Sequence, residues 1–336
     1  MTFSVNDIPD LKGKVALVTG GNAGVGYETV NQLARKGAKV ILAARSPDRA
    51  KKAIQTIKAD YPKADVTFQL LDLGDLKSAQ KAAQEVIQNH DRLDMLVNNA
   101  GVMGLPYQFT TDGLEVQMGT NVMGHYVFTL LLLPLLVKTC QRSEYAKTGR
   151  TVRVVHLASM GHWFTPLDTS FRDLDEFNKQ HWPEWLATTH RYHKSKVGNM
   201  LLCQEFQKCI PAHVPITNIS LHPGVVDTML FRRLDLSYPS WLVKPFIWVA
   251  GKVLTPKEEG ALTQLYAATS PEVDALGLKT EYLTPVGKVG AKRPIAADKD
   301  GKLGKELMQF CNDFTKVRLG VDAEKVLQEA GLRWPY

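Results

Sequence analysis

The stretch KVALVTGGNAGVGYETVNQLARKG, residues 14–37, decides the fold of this chain. Its β-branched start at Lys14–Thr19 predicts a buried strand, and Tyr27–Lys36 predicts a helix that Gly37 ends. The glycines between them permit a tight turn and let the backbone approach a pyrophosphate at the helix N-terminus. Glycines alone would indicate only a turn, but a strand, a glycine-rich turn and a helix in this order predict a nucleotide-binding unit.

The alternation of strands and helices continues beyond this unit. Helices are predicted at Ser46–Tyr61 and Leu76–Asn89, and further strands at Lys39–Ala44, Val66–Leu71, Asp94–Val97, Thr151–Leu157 and Pro215–Leu221. Because the strands are apolar and alternate with helices, they predict a parallel sheet that is covered on both faces. We expect an α/β fold with a single doubly wound Rossmann sheet. Residues 1–290 are expected to form the catalytic domain, and residues 291–336 an extension packed on its outside.

The composition is that of an ordinary soluble globular protein. Hydrophobic residues make up 44% of the 336 residues and charged residues 22%, which excludes disorder and collagen-like repeats. The net charge of +7 is spread along the chain without a run of five basic residues, so no nucleic acid partner is expected. The longest apolar stretch, Tyr126–Val137, has 12 residues. A membrane span needs about 20, so none is expected.

Cysteine and histidine spacing predicts neither a disulfide framework nor a metal site. The four cysteines form no CxxC pair, and the nine histidines form no HxxxH pair. Reduced thiols and an N-terminus without a secretion signal are typical of a cytoplasmic protein. The apolar helix around Leu130–Val137 is either core or the face of a homodimer, so both a monomer and a homodimer remain open.

Four further motifs support the nucleotide-binding interpretation. They follow the strands in this order: Asn98-Asn99-Ala100-Gly101, then Ser159, then a YxxxK pair over residues 192–196, then Pro223-Gly224-Val225-Val226-Asp227-Thr228. With the TGxxxGxG turn, they resemble the short-chain dehydrogenase/reductase family over about residues 12–285. The stretch FTTDGLEVQMGTNVMGHYVFTLLLLPLL, residues 109–136, is most similar to the retinol-dehydrogenase-like branch, with filamentous-fungal members of natural-product pathways as closer relations.

The resemblance implies a catalytic set of Asn121, Ser159, Tyr192 and Lys196. Tyr192 and Lys196 are four residues apart and share a helix face, so the ammonium is expected to lower the phenol pKa from about 10 toward the working pH. Ser159 would hydrogen-bond the substrate oxygen, and Asn121 resembles the family residue that holds a water leading protons to the lysine. A solvated helix face for the Tyr–Lys pair and a helix-distorting role for Asn121 are the structural alternatives.

The end of the second strand indicates the cofactor. An NAD site usually has an acidic residue there, whereas this chain has Ala44 followed by Arg45, which can pair with a 2′-phosphate. We therefore expect NADPH/NADP+ rather than NADH, unless Arg45 is merely solvated. Asp72 resembles the residue that contacts the adenine amino group, or it is a turn residue. The expected cofactor-binding residues are Gly20, Asn22, Gly24, Val25, Gly26, Arg45, Asp72, Leu73, Asn99, Ala100, Gly101, Tyr192, Lys196, Pro223, Gly224, Val226 and Thr228.

Tryptophans cluster around the catalytic motifs. Five of the six lie between residues 163 and 248, which predicts lids around 160–190 and 230–255 and an aromatic pocket for a bulky apolar carbonyl. The expected pocket residues are Trp163, Trp182, Trp185, Met229 and Trp241. Packing of an insertion is the alternative role of these rings. Segment 241–254 is interpreted first as a lid and second as a peripheral contact with a membrane, such as a lipid droplet or the ER face.

These observations predict an NADP(H)-dependent oxidoreductase that interconverts a carbonyl and an alcohol on a bulky apolar or aromatic small molecule, with Tyr192 as general acid and base. The alternatives are a catalytically idle nucleotide-binding regulator, a retinol or lipid dehydrogenase working in the oxidative direction, and an epimerase or dehydratase. The intact catalytic set argues against the regulator. Epimerases and dehydratases usually carry a GxxGxxG turn and a larger C-terminal substrate domain, and neither is present.

Overall fold

The predicted strands form one sheet in the computed structural model, which describes residues 3–180, 183–226 and 255–336. The strands are β1 Val15–Thr19, β2 Lys39–Ala44, β3 Val66–Leu70, β4 Met95–Asn98, β5 Val152–Leu157, β6 Ile216–Leu221, β7 Tyr282–Thr284 and β8 Lys288–Val289. Their order is β3-β2-β1-β4-β5-β6-β7-β8. Neighbours pair in parallel except for β8, which pairs with β7 antiparallel. The predicted fold class is confirmed, with an antiparallel edge that the sequence did not indicate.

Helices cover both faces of this sheet. The long helices are α1 Gly24–Arg35, α2 Pro47–Asp60, α3 Leu76–Asn89, α4 Gly124–Cys140, α5 Glu184–Cys209, α6 Lys257–Thr269, α7 Lys302–Leu319 and α8 Ala323–Glu329. Shorter helical segments are Val5–Asp7, Val116–Met118, a π-helix at Gly119–Met123, Ser143–Thr148, Met160–Phe164, Leu174–Phe177, Glu272–Ala275 and Pro294–Ala297. Side chains of α1, α2 and α6 form the core on one face, and those of α3, α4, α5, α7 and α8 form it on the other.

Strand β3 departs from the predicted burial. All residues of β1 are buried, as a parallel strand inside a doubly wound sheet requires. In β3 the buried residue is Val66, while Phe68 is 37% and Leu70 49% exposed. The prediction of a strand buried on both faces is therefore wrong for β3, because this strand is the edge of the sheet and has a neighbour on one side.

Helix α4 and the segment before it lie inside the protein. Residues Val116–Cys140 are long and apolar enough to cross a membrane by length and composition, but 83% of their apolar window is buried. Side chains from Leu130 to Leu136 pack against α3 and α8. Of the two alternatives for this helix, the structure therefore shows the core.

The C-terminal segment packs on α5, the helix that carries Tyr192 and Lys196. Leu307 and Cys311 of α7 and Leu327 of α8 are fully buried in the same core as α4 and α5. Glu205 of α5 is 1% exposed and accepts a hydrogen bond from the Tyr336 hydroxyl. The segment 291–336 thus supplies buried side chains to the core beside α5.

Candidate active site

The predicted motifs converge at the carboxyl edge of the sheet. The glycine-rich turn follows β1, Asn99-Ala100-Gly101 follows β4, and Ser159 follows β5. Because the carboxyl ends of parallel strands meet at one edge, the fold brings these segments together with the Tyr192 turn of α5. This edge is where ligands bind in open α/β sheets.

The glycine-rich turn leaves the N-terminus of α1 open. Gly20 and Gly24 have φ angles of +66° and +56°, which favour glycine. A Cβ atom on Gly26 would lie 2.5 Å from the Gly20 carbonyl oxygen and would press against the Asn99 side-chain amide. Ala23, the N-cap of α1, makes no side-chain cap and the first turn has no acidic residue. The first N–H groups of α1 can therefore bind phosphate, so the turn fits a dinucleotide.

Several of the residues predicted to bind the cofactor make contacts within the protein. Asn99 donates from Nδ2 to the Thr19 carbonyl at 2.8 Å, and Ala100 N–H donates to Thr19 Oγ1 at 2.9 Å. Val25 and Leu73 are 5% and 4% exposed, with their side chains in the core. At these two positions a cofactor could therefore meet the backbone rather than the side chain. Asn22 is half-buried in the turn.

Ser159 and Tyr192 are joined across the end of β5. The Ser159 side chain lies close enough to the Tyr192 hydroxyl to lower its pKa, and Ser159 Oγ accepts the Gly161 N–H at 3.0 Å. Lys196 Nζ lies 5.5 Å from the Tyr192 ring centroid and donates to the Leu157 carbonyl at 2.9 Å. The structure therefore brings the predicted serine, tyrosine and lysine to one place.

The pKa values of this group differ from the expectation. Burial raises the pKa of Tyr192 to about 12, against a smaller lowering by the Ser159 hydrogen bond. Burial also lowers the pKa of Lys196 to about 7. The predicted net lowering of the Tyr192 pKa toward neutral pH is therefore not seen in this arrangement. The ammonium stands over the ring face and binds Leu157, so the loss of hydration outweighs its charge.

Asn121 has a structural role and also lies beside Lys196. It is fully buried on the π-helix, donates from Nδ2 to the Val102 carbonyl at 2.9 Å and accepts the Val102 N–H at 2.8 Å. A Cβ atom on Gly101 would lie 3.3 Å from Asn121 Oδ1 and 3.4 Å from Lys196 Nζ. A glycine at this position lets the amide and the ammonium approach each other.

Arg45 and Asp72 stand at the ends of neighbouring strands. Arg45 follows β2 and is exposed, and it has no ion-pair partner among the described residues. Asp72 follows β3, and its Oδ1 accepts the Gly74 N–H at 2.9 Å. Asp72 therefore has the turn role, while its position at the sheet edge remains compatible with an adenine contact.

The structure describes the first four residues of the last predicted motif, residues 223–228. Gly224 follows Pro223 with a φ of +93°, and its N–H donates to His222 Nδ1 at 3.0 Å. Val226 is buried and pairs with Thr255 in a parallel bridge. The predicted contacts that lie outside the described residues are Thr228, Trp182, Met229 and Trp241, together with the side chain of Trp185. Residues 230–254 of the predicted lid at 230–255 also lie outside them, including the segment 241–254 that was interpreted as a lid or a membrane contact.

Exposed apolar residues follow Ser159 in the chain. Of these, the sequence analysis named only Trp163. Trp163 is 44% exposed, and three neighbouring apolar side chains are also exposed: Met160 at 47%, Phe164 at 65% and Leu167 at 76%. We call these four residues the apolar rim. The run MGHWF directly after Ser159 could have indicated these apolar residues from the sequence.

Two further aromatic residues lie near the site, and the sequence analysis gave neither of them a role. His162 is fully buried and its Nδ1 lies 2.8 Å from the Ser159 carbonyl oxygen. The Tyr282 ring of β7 lies 4.9 Å from the His162 ring and 5.8 Å from the His222 ring. No sequence signal marked Tyr282, because β7 has three residues. Among the described residues no group of three or more His, Cys, Asp or Glu side chains could hold a metal ion.

Comparisons with known proteins identify relatives of this chain. The family model for short chain dehydrogenase matches residues 14–163. An uncharacterized oxidoreductase of Schizosaccharomyces pombe is 40% identical over 288 residues, 86% of this chain and 81% of that protein. Short-chain dehydrogenase/reductase drtF of Aspergillus calidoustus is 37% identical, covering 93% and 96%. Retinol dehydrogenase 11 of Mus musculus is 36% identical, covering 79% and 76%. A solved structure from Mycobacterium paratuberculosis matches 94% of this chain and 98% of its own with a TM-score of 0.68 at 27% identity.

Proposed function

This chain belongs to the short-chain dehydrogenase/reductase family, and from that membership we propose that it reduces a bulky apolar or aromatic ketone or aldehyde with NADPH. The fungal oxidoreductases and the retinol dehydrogenase among its relatives confirm the branch that the motifs predicted, and the family acts on alcohol and carbonyl groups. The observation that carries the proposal is the meeting of Ser159, Tyr192 and the buried Lys196 at the edge that holds the glycine-rich turn.

The raised pKa of Tyr192 favours reduction over oxidation. A phenol with a pKa of about 12 keeps its proton at neutral pH, so Tyr192 is ready to donate to the oxygen of a carbonyl as that carbonyl becomes an alcohol. Ser159 Oγ lies beside the Tyr192 hydroxyl and orients the substrate oxygen toward it. The charge of a protonated Lys196 stabilises the tyrosinate that remains after the proton has moved.

The residues at the edge fit a nicotinamide dinucleotide. The N-terminus of α1 would hold the pyrophosphate, and Arg45 would hold a 2′-phosphate. A bound nicotinamide supplies the hydride for reduction. The chain itself therefore has two tasks, which are to orient the substrate oxygen at Ser159 and to supply the proton from Tyr192.

The apolar rim supports a large apolar substrate. Its exposed side chains follow Ser159 in the chain, and the Phe164 ring lies 5.6 Å from the ring of His193, the residue after Tyr192. We expect them to cover the apolar body of a substrate whose oxygen lies at Tyr192. A small polar aldehyde would leave these side chains in water and gain nothing from them. Substrate size is therefore the property on which we expect this enzyme to discriminate.

A substrate panel tests the proposal. NADPH consumption is measured with aromatic ketones, retinal, long-chain aldehydes and a small polar aldehyde such as glyceraldehyde. We expect kcat/KM to be highest for the bulky apolar carbonyls, because contact with the apolar rim contributes about 25 cal/mol per Å² of buried apolar area. A preparation of Tyr192→Phe made in parallel measures the NADPH consumption due to contaminating reductases, which is then subtracted. NADPH binding without Tyr192-dependent consumption of any carbonyl would identify a catalytically idle regulator instead.

The pKa of Lys196 predicts a pH profile. The side chain carries its proton below about pH 7 and loses it as the pH rises through that value. The charge that stabilises the tyrosinate is lost with it, so kcat/KM for reduction should fall above about pH 7. The measurement is kcat/KM at constant ionic strength, because this ratio reports the pKa values of the free enzyme.

Lys194 provides a matched control for this profile. It lies two residues away on α5, burial lowers its pKa to about 8, and its Nζ donates to the Glu176 carbonyl rather than facing Tyr192. Lys194→Met should leave the inflection in place. A profile that stays flat through pH 9, or an inflection that disappears in Lys194→Met, would contradict the assignment to Lys196.

A further inference from the structure

A chain of hydrogen bonds connects the glycine-rich turn with the catalytic helix, and His125 is its central link. His125 lies in the first turn of α4 and is 1% exposed. Its Nδ1 lies 2.9 Å from the Asn121 carbonyl oxygen, and its Nε2 lies 3.0 Å from Thr19 Oγ1. One imidazole ring therefore contacts both the strand end that opens the turn and the buried asparagine beside Lys196.

The direction of these hydrogen bonds follows from chemistry. The Asn121 carbonyl can only accept, so His125 Nδ1 carries the proton. Burial lowers the pKa of His125 to about 3, so the ring is neutral and Nε2 is an acceptor. The Thr19 hydroxyl then donates to Nε2, and its oxygen accepts the Ala100 N–H at 2.9 Å. This arrangement fixes the Nδ1-protonated tautomer of His125.

The π-helix shifts the backbone hydrogen bonds around Asn121. In an α-helix the carbonyl of residue 121 would accept the backbone N–H of residue 125. Here Gly124 N–H bonds to Gly119, five residues earlier, so the backbone bonds are displaced by one position. The ring of His125 supplies a donor to the displaced carbonyl. It thereby stabilises the irregular turn that presents Asn121.

The chain continues from Asn121 to the catalytic tyrosine. Asn121 Nδ2 donates to Ser195 Oγ at 2.9 Å, and Ser195 Oγ donates to the Tyr192 carbonyl at 2.7 Å. All of these groups are buried or half-buried, so water does not compete freely for the bonds. The continuous path runs from Thr19 through His125, Asn121 and Ser195 to the backbone of Tyr192.

We propose that His125 is a positioning residue of the reductase. It keeps the glycine-rich turn, which holds the cofactor phosphates, in fixed relation to Asn121 and the Tyr192 turn, and it acts through Thr19 and Asn121. This inference rests on the proposed function, since turnover is one of its readouts. Cofactor affinity and the His125 tautomer are readouts that do not require turnover.

Three substitutions at His125 separate its two hydrogen bonds. His125→Phe keeps a ring and removes both bonds. We expect it to lower kcat by ~10- to 100-fold and to raise the Kd for NADPH, since small displacements of catalytic groups have effects of this size. His125→Asn can place an amide N–H where Nδ1 was, and should recover kcat more than affinity. His125→Gln can place an amide oxygen near Thr19, and should recover affinity more than kcat.

His156 is the matched control. It is a second buried histidine, on β5, with Nε2 3.1 Å from Asn218 Oδ1 and its ring 6.3 Å from Phe206, outside the hydrogen-bond path. His156→Phe should lower the Tm while leaving kcat and the Kd for NADPH unchanged well below that Tm. If His125→Phe and His156→Phe change kcat and Kd alike, His125 is structural only and the proposal is overturned.

The tautomer gives a test without substrate. Nitrogen-15 NMR of labelled histidine should show His125 neutral with the proton on Nδ1, and Thr19→Val should shift its Nε2 signal while leaving that of His156 in place. A proton on Nε2 would overturn the proposed link. If no carbonyl is reduced, the proposed function fails on its own. The inference then stands if His125→Phe weakens NADPH binding relative to His156→Phe, and falls if it does not.

Discussion

Replacing Tyr192 with phenylalanine is expected to lower turnover ~10²- to 10⁴-fold, the contribution of a positioned general acid. The ring of phenylalanine fills the same space on α5, and the change removes the hydroxyl beside Ser159. NADPH affinity should stay close to that of the unmodified enzyme, because the glycine-rich turn is unchanged. Single-turnover reduction and NADPH binding measured on the same preparation would separate the two effects.

Tyr126 offers a matched control for this loss. Its hydroxyl is also buried, but among the described residues it has no hydrogen-bond partner, and its ring stacks on Phe206 at 5.8 Å. Tyr126→Phe removes the same atom from a tyrosine that lies away from Ser159, so full turnover is expected. A loss of less than about tenfold in Tyr192→Phe would remove Tyr192 from the role of proton donor.

The local sequence pattern was sufficient to predict most of the strands and helices of the fold. The strands β1 to β6 were predicted within one residue at each end, because each is a short run rich in apolar or β-branched residues between turn residues. Helix α1 begins at Gly24, three residues before the predicted Tyr27, since the last glycines of the turn already belong to the first helical turn. The edges were harder to predict. Strands β7 and β8 are too short to show a pattern, and the exposure of β3 depends on sheet order rather than on its own residues.

For the candidate site, spacing predicted which residues meet but not what surrounds them. Motif order placed Ser159, Tyr192 and Lys196 together. Whether the Tyr192 pKa is raised or lowered depends on burial and on where the Lys196 ammonium points. Neither can be inferred from an i, i+4 spacing. The link between Thr19 and His125 joins residues 106 positions apart, so no local pattern could reveal it. The same holds for Tyr282, which reaches the site through sheet pairing with β6.

Arg45→Ala is expected to weaken NADPH binding ~10- to 10³-fold while leaving NADH binding nearly unchanged. The two cofactors differ by one phosphate with nearly two negative charges, and hydrogen bonds to charged groups contribute about 1.5–3 kcal/mol each. Arg45 is exposed at the end of β2 and has no ion-pair partner in the described part of the chain, so its guanidinium is available to that phosphate. Because the site is exposed, the preference for NADPH should shrink as the salt concentration rises.

Dissociation constants for both cofactors decide this assignment. Arg333→Ala is the control, because it removes an exposed arginine and the same unit of charge far along the chain, and it should leave both constants unchanged. Charge reversal is tested at Arg45 rather than at Ala44, since Ala44 is 5% exposed and a carboxylate there would enter the core. Arg45→Glu places a negative charge where the 2′-phosphate is expected, so it should disfavour NADPH more strongly than Arg45→Ala does. If the unmodified enzyme binds NADH as tightly as NADPH, Arg45 does not select the cofactor and the preference for NADP(H) has to be abandoned.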